Sequence, residues 1–333
     1  MKTPLVTVAL STYNVAPFVL DSLKCIEEQT YKKIEILCID DASTDGTYDK
    51  ISERAKRDSR YRIIRQSENK GLSVSRNIAI AEATGEYIVM LDGDDLFDRN
   101  MINTAVDVAL AREADMVIWD YVPFQNIEEL GPLTRCSSRL NELDASDKIG
   151  LLQRPAFMWV KMLSVKKLRE SQISFPPRLT KQDIPVHWKL VTTWDKIAII
   201  PKKFSFYRLR PNATSMRKDR SIFSLAKVMD IVGDDLRKDG LYETYRNEYL
   251  RSRLTLLHGM YDFVKPEFKN EAMRMILERI DGEALEYLTS YANLLSKRTR
   301  LFYDALDGNI FAKILYSTLI ACRLIYRKFK SLI

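Results

Sequence analysis

The chain has 333 residues, enough for one large domain with an appendage or for two domains. Hydrophobic residues make up 46% and charged residues 29%, a soluble globular composition that excludes a disordered chain. The net charge of +7 points to an anionic partner (nucleic acid, anionic lipid or a phosphorylated ligand) without choosing among them.

Val6–Leu10 is a short β-branched run that predicts a buried strand, ending in Ser11-Thr12-Tyr13-Asn14. Ala16–Gln29 carries Phe18, Val19, Leu23 and Ile26 at helical spacing. Ile34–Ile39 predicts a second buried strand, closing on Asp40-Asp41. Ser43 and Asp45 are candidate caps for a helix over Thr47–Arg57. Arg62–Arg65 reads as an edge-like strand, and Ser73–Ala83 as a helix after the break at Gly71. Tyr87–Leu91 is the next strand, Met101–Ala111 a helix and Met116–Trp119 a further strand.

This alternation predicts an α/β fold, a mostly parallel sheet flanked by helices. Ligands of such sheets dock outside the carboxyl ends of the strands. Ser11–Asn14, Asp40-Asp41 and Asp92–Asp95 should therefore open on one edge. Beyond Asn141 the pattern weakens to a helix over Gln182–Thr193 and strands over Lys196–Ile200 and Phe204–Leu209. From Ile222 the pattern is helical, which places a boundary within 215–221.

Cys25, Cys38, Cys136 and Cys322 show no CxxC spacing. With His187 and His258 as the only histidines, a structural zinc site and a disulfide framework are not expected, and a reducing cytoplasm is the simplest location. The N-terminus lacks the pattern of a signal peptide. No segment approaches the roughly 20 apolar residues that span a bilayer.

The stretch "YIVMLDGDDLFD", Tyr87–Asp98, sets Asp92, Asp94, Asp95 and Asp98 directly after an apolar strand. Asp98, before Asn100 and a helix, reads as a cap. The others call for a cation, because clustered carboxylates repel one another and cost desolvation. A hard divalent ion held by one or two carboxylates and a substrate phosphate satisfies them. Haloacid-dehalogenase-type phosphatases also place DxD after a strand, but their next Thr or Val position holds Leu96 here. No GxGxxG follows the first strand, against a dinucleotide site.

The run "VTVALSTYN … EILCIDDASTDGTYD … NKGLSVSRNIAIAEATGEYIVMLDGDDLF" resembles the inverting family 2 glycosyltransferases of the GT-A fold, of the bacterial cell-surface glycan type. A weaker likeness continues over Lys181–Ser215. The resemblance implies a GT-A catalytic domain over 1–218, with a nucleotide-sugar half (1–120) and an acceptor half (121–218). A helical C-terminal domain over 219–333 lies outside it. It implies that Ser11 and Tyr13 cradle the nucleotide base and that Asp41 accepts from the uracil N3–H. Asn69 and Arg76 match the segment where the Arg contacts nucleotide or diphosphate oxygens. Asp92 lies toward the ribose or metal, and Asp94 coordinates the Mn²⁺ or Mg²⁺ that bridges the diphosphate. Asp95 supports them.

In the family the base is an Asp in an "ED" pair opening a helix. Here the pair is Gln182-Asp183, so Asp183 is the expected base, although beside Pro185 it also suits an ordinary helix start. His187 shares its helix face and could meet acceptor or diphosphate, or simply pack; Trp188 favours the core. Arg208, Arg210 and Ser215 resemble the segment that closes near the diphosphate, with Asn212 where the family carries Gly.

The implied activity is metal-assisted transfer of a hexose or N-acetylhexosamine from a UDP-sugar donor to a glycan or lipid-linked acceptor. A non-catalytic nucleotide-binding scaffold is the alternative class, and nucleic-acid binding lacks aromatic-basic interleaving. Lys313, Arg323, Arg327, Lys328 and Lys330 follow the last acid, Asp307. They suit an anionic membrane surface at the inner face of the plasma membrane. The helical region thus has three candidate uses: membrane attachment, acceptor binding or assembly of a homo-oligomer.

Overall fold

The computed structural model describes residues 3–130, 138, 140–141, 143–210 and 217–308. The chain divides into two compact units, Met1–Met216 and Arg217–Ile333.

The first half of the first unit runs β1 (Val6–Thr12), α1 (Val19–Glu27), β2 (Ile34–Asp40), α2 (Thr47–Ala55), β3 (Tyr61–Arg65), α3 (Leu72–Glu82), β4 (Tyr87–Asp92), β5 (Leu96–Phe97), α4 (Met101–Arg112) and β6 (Met116–Phe124). Every residue of β1 is buried, so its sequence is continuously apolar or small rather than alternating. β1 pairs in parallel with β2 and β4, and β2 with β3. Ser11 stands opposite Ile39 and Asp92, and Thr12 opposite Asp40. The three polar strand ends therefore lie level on one edge, as the sequence predicts.

The second half adds α5 (Lys148–Leu152), β7 (Lys161–Ser164), α6 (Val165–Glu170), α7 (Asp183–Thr193) and β8 (Ile197–Arg208). One sheet of eight strands results, in the order β3-β2-β1-β4-β7-β6-β8-β5. β6 and β8 are parallel, while β7 runs against both β4 and β6, and β5 against β8. The sheet is thus mixed. The reversal of β7 brings its first residue, Lys161, to the edge where β4 ends.

Two strands expected over Lys196–Ile200 and Phe204–Leu209 are one strand. Trp119 pairs with Ile200 and Asp120 with Lys203, so Pro201 and Lys202 bulge out of the ladder. Proline has no N–H to give a ladder, which makes a bulge its natural place and makes the sequence look broken there. β5 and β7 are too short to announce themselves by periodicity.

The second unit is helical: α8 (Ser224–Lys238), α9 (Tyr242–Phe263), α10 (Lys269–Leu277), α11 (Gly282–Ser290) and α12 (Lys297–Leu306). α9 buries Tyr249, Leu250, Leu254, Leu257 and Met260. Arg253 of α9 donates to Asp281, which itself caps α11 by accepting from the Ala284 N–H. No helix among the described residues is long and apolar enough to cross a membrane. The tail cations Lys313, Arg323, Arg327, Lys328 and Lys330 lie outside the described residues, as do Cys136 and Cys322.

Candidate active site

The edge begins with Asp41, one residue past β2 and 3% exposed. Its Oδ1 accepts from Gln66 Nε2 at 2.7 Å and the Lys70 N–H at 2.8 Å, and its Oδ2 from the Gly71 N–H at 2.8 Å. Gly71 has φ +87°, a conformation glycine adopts without strain, and it opens α3. Asp41 therefore fixes the loop from Gln66 to Gly71. Each oxygen can accept more than one hydrogen bond, and Oδ2 has one donor among the described residues. Asn69 sits exposed on this loop. Ser11 is buried at the end of β1, and Tyr13, 48% exposed, stands free just beyond it.

The centre is a bridge. Arg76 of α3 is 1% exposed. Its Nη2 donates to Asp92 at 3.2 Å, and its Nη1 pairs with Asp183 at the start of α7. The guanidinium lies 5.4 Å from the centre of the Phe175 ring. Asn77, the next residue of α3, exchanges two hydrogen bonds with the Phe175 backbone and holds that ring in place. Arg76 was expected to face nucleotide or diphosphate oxygens. The structure instead commits both its Nη groups to carboxylates, because burial of a guanidinium demands paired anions. Asp183 Oδ2 accepts from the Met158 N–H at 3.2 Å, and its side chain stays 14% exposed. Burial, with the nearby Asp94 and Asp183 charges, pushes Asp92 up to about 6 against the pull of Arg76.

The remaining acids meet the end of β8. Asp94 pairs with Arg210. Asp95 is buried; its Oδ1 accepts from the Arg208 N–H at 2.8 Å, and burial drives its carboxyl well above the usual range. Asp95 Oδ2 has no hydrogen-bond partner among the described residues. Arg208 donates from Nε to the Asp94 carbonyl at 2.9 Å and lies 4.9 Å from the ring centres of both Phe18 and Phe124. Arg208 therefore clamps the Asp94-Asp95 turn, and Arg210 is the more exposed cation of the two. Gly93 permits this turn to press on β1: a Cβ there would lie 2.6 Å from the Thr12 methyl.

Asp98 does not cap α4 directly. It accepts from the Asn100 N–H at 2.7 Å, a turn one step before the helix, whose cap is Asn100. His187 and Trp188 are buried, which takes both away from any ligand. Burial and the neighbouring Lys161 push the His187 imidazole down to about 3. Asn212 and Ser215 lie outside the described residues. Gln66, Asn77, Phe175 and Lys161 were not foreseen as site residues. Asn77 sits beside Arg76 in the quoted motif, and for the others the sequence carries no local signal.

As for a metal, no group of three or more His, Cys, Asp or Glu side chains among the described residues could hold one unaided. The donor set at this edge is Asp92 and Asp94, with Asp95 behind them. It fits a hard cation that takes its remaining oxygens from a diphosphate.

The family model for glycosyl transferase family 2 matches residues 7–157. Residues 7–157 thus match a family 2 glycosyltransferase domain, a little under half of the chain. GlyG of Streptococcus pneumoniae, a glycosyltransferase, is 34% identical over 117 residues, 35% of this chain and 39% of GlyG. The chain thus matches well under half of that relative's length. The UDP-Glc:α-D-GlcNAc-diphosphoundecaprenol β-1,3-glucosyltransferase WfaP of Escherichia coli is 26% identical over 229 residues, 69% of this chain and 87% of WfaP.

Among solved structures, residues 1–349 of Staphylococcus aureus TarS superpose with a TM-score of 0.64 at 18% identity, covering 90% of this chain and 91% of that one. The same TarS fragment has been solved with UDP-GlcNAc, with a TM-score of 0.58 at 15% identity, covering 88% of this chain and 93% of that one. The mannosyltransferase PcManGT of Pyrobaculum calidifontis, in complex with GDP-Man and Mn²⁺, gives 0.52 at 20% identity, covering 99% and 84%. The chain therefore has the expected GT-A architecture, an α/β sheet flanked by helices, followed by a helical region.

Proposed function

We propose that this glycosyltransferase moves a hexose or N-acetylhexosamine from a UDP-sugar to a hydroxyl of a surface polysaccharide, glycolipid or related glycan. Displacement is direct and inverts the anomeric centre. One observation carries the reading: a single buried guanidinium, Arg76, ties Asp92 on the donor edge to Asp183 at the acceptor helix. Base and donor edge are thereby held in one rigid unit, as an in-line displacement requires.

In this reading Tyr13 offers a face to the base, Ser11 lines the turn beneath it, and Asp41 accepts from uracil while holding the loop that carries Asn69. Asp183 takes the proton of the acceptor hydroxyl as that oxygen attacks the anomeric carbon. The bond from the anomeric carbon to the diphosphate breaks, and its electron pair leaves with UDP. Asp92 and Asp94 would hold Mn²⁺ or Mg²⁺, which when bound neutralises charge on the diphosphate. Arg208 keeps the Asp94-Asp95 turn in place, and Arg210 can pass from Asp94 to a phosphate oxygen. Support for the donor comes from TarS with UDP-GlcNAc, for the metal from PcManGT with Mn²⁺, and for a lipid-linked acceptor from the name of WfaP. The cations of the last 21 residues, Lys313 to Ile333, favour a place on an anionic membrane surface.

The test is release of the nucleoside diphosphate from a panel of UDP-, GDP- and dTDP-sugars with Mn²⁺ and a set of acceptors. Turnover with a UDP-sugar, lost in Asp183→Asn while UDP still binds, is the expected result. UDP binding with no turnover on any acceptor would favour the scaffold, and normal turnover in Asp183→Asn would remove the base.

A further inference from the structure

Lys161 is a buried lysine at the first position of β7, 1% exposed. Burying an ammonium costs several kcal/mol, and a methionine would fill the same volume without that cost. Its Nζ donates to two backbone carbonyls, Phe157 and, at 3.4 Å, Ala156. Burial pushes the amine down to about 7, partly opposed by the nearby Asp183.

The Phe157 carbonyl belongs to the same peptide group as the Met158 N–H. That N–H donates to Asp183 Oδ2 at 3.2 Å. A peptide group is planar, so fixing its oxygen fixes the direction of its hydrogen. A donor on the oxygen also polarises the amide and strengthens the N–H as a donor. One peptide plane thus joins Lys161 to Asp183, as the Arg76 guanidinium joins Asp183 to Asp92 from the other side.

We propose that Lys161 is a positioning residue for the glycosyl transfer, acting on Asp183 through the Phe157–Met158 peptide. The proposal rests on Asp183 being the base. Asp183 is flanked by Arg76 from α3, Asp92 from β4, Lys161 from β7 and Lys181 from the preceding loop. Lys161 alone among them reaches the carboxylate by way of the Met158 amide in the hydrogen bonds described above. Its loss removes a polarised donor and a positive charge, and both changes make the carboxylate easier to protonate.

Lys161→Met should lower kcat about tenfold and move the acid limb of the kcat profile to higher pH. KM for the donor and the affinity for UDP should stay within about twofold, since the donor edge keeps Arg76 and Asp41. Lys161→Gln, which retains one donor for Phe157, should recover part of the rate and guards against a misfolded Met variant. An unchanged acid limb in both variants, or an equal loss of UDP affinity and kcat, overturns the proposal. Asp183→Asn is run alongside: if it keeps normal turnover, the base assignment has failed. If it is inactive and the acid limb does not move in the Lys161 variants, the role of Lys161 alone has failed.

Discussion

Arg76 and Asp183 stand 107 residues apart in sequence and form an ion pair with the arginine fully buried. The pair closes the nucleotide-facing half of the sheet onto the helix that carries the proposed base. A lysine offers one ammonium where the fork now serves two carboxylates. Arg76→Lys is expected to fold and bind UDP, with kcat down about 10- to 100-fold from the loosened base. Arg76→Ala leaves two part-buried carboxylates facing each other without their shared cation and should cost about 3 kcal/mol of stability, read by urea unfolding. Full activity in the lysine variant would show that the bridge does not organise the site.

Asp94 and Arg210 raise a competition. A metal that needs Asp94 has to displace the guanidinium. In Arg210→Gln, Mn²⁺ affinity, read from the EPR signal of the free ion, should tighten about 2- to 5-fold, the worth of a partly exposed pair. Equal Mn²⁺ affinity in both proteins would mean that Asp94 does not meet the ion.

His187 supplies a stability test with a definite sign. In the fold the imidazole takes a proton only near pH 3, while the unfolded chain takes it near the ordinary histidine value of 6.5. Its contribution is fully present above pH 6.5 and is lost as pH falls toward 3. Between pH 6.5 and 5 the wild type should lose about 2 kcal/mol from this group. Urea midpoints at pH 7.5 and 5 should therefore converge more closely for His187→Gln. The same acid loss in both proteins would refute a neutral buried imidazole.

Ala42, between Asp41 and Ser43, has φ +60°, where a Cβ is strained. Ala42→Gly should raise stability by about 0.5–1 kcal/mol and leave UDP affinity unchanged. A lower melting temperature would show that the methyl packs better than the backbone suffers.

Why did one half of the site announce itself and not the other? β1, β2 and β4 are largely apolar runs with polar ends, Ser11-Thr12 on β1 and acids on β2 and β4, and parallel pairing turns that pattern into a single edge. Asp41, Asp92 and Asp94 were legible for this reason. Arg76 was visible as a residue but not as a bridge, since its partner Asp183 lies in the other half of the domain and no spacing rule links them. Lys161 carried no signal, because its value depends on a four-residue strand running backwards. Pro201 misled the reading of β8, because a bulge and a strand break look alike in one dimension.

The backward course of β7 has an evolutionary consequence. Forward strands present their ends to the ligand edge, so their loops leave from the carboxylates. β7 presents its beginning, so the chain between α5 and β7 arrives at that edge as an entrance. Insertions and deletions before Phe157 can therefore reshape what the acceptor meets, while the register of β1, β2 and β4 stays untouched. A scaffold in which β7 runs backwards can change what it offers the proposed acceptor without renegotiating the edge proposed for its donor.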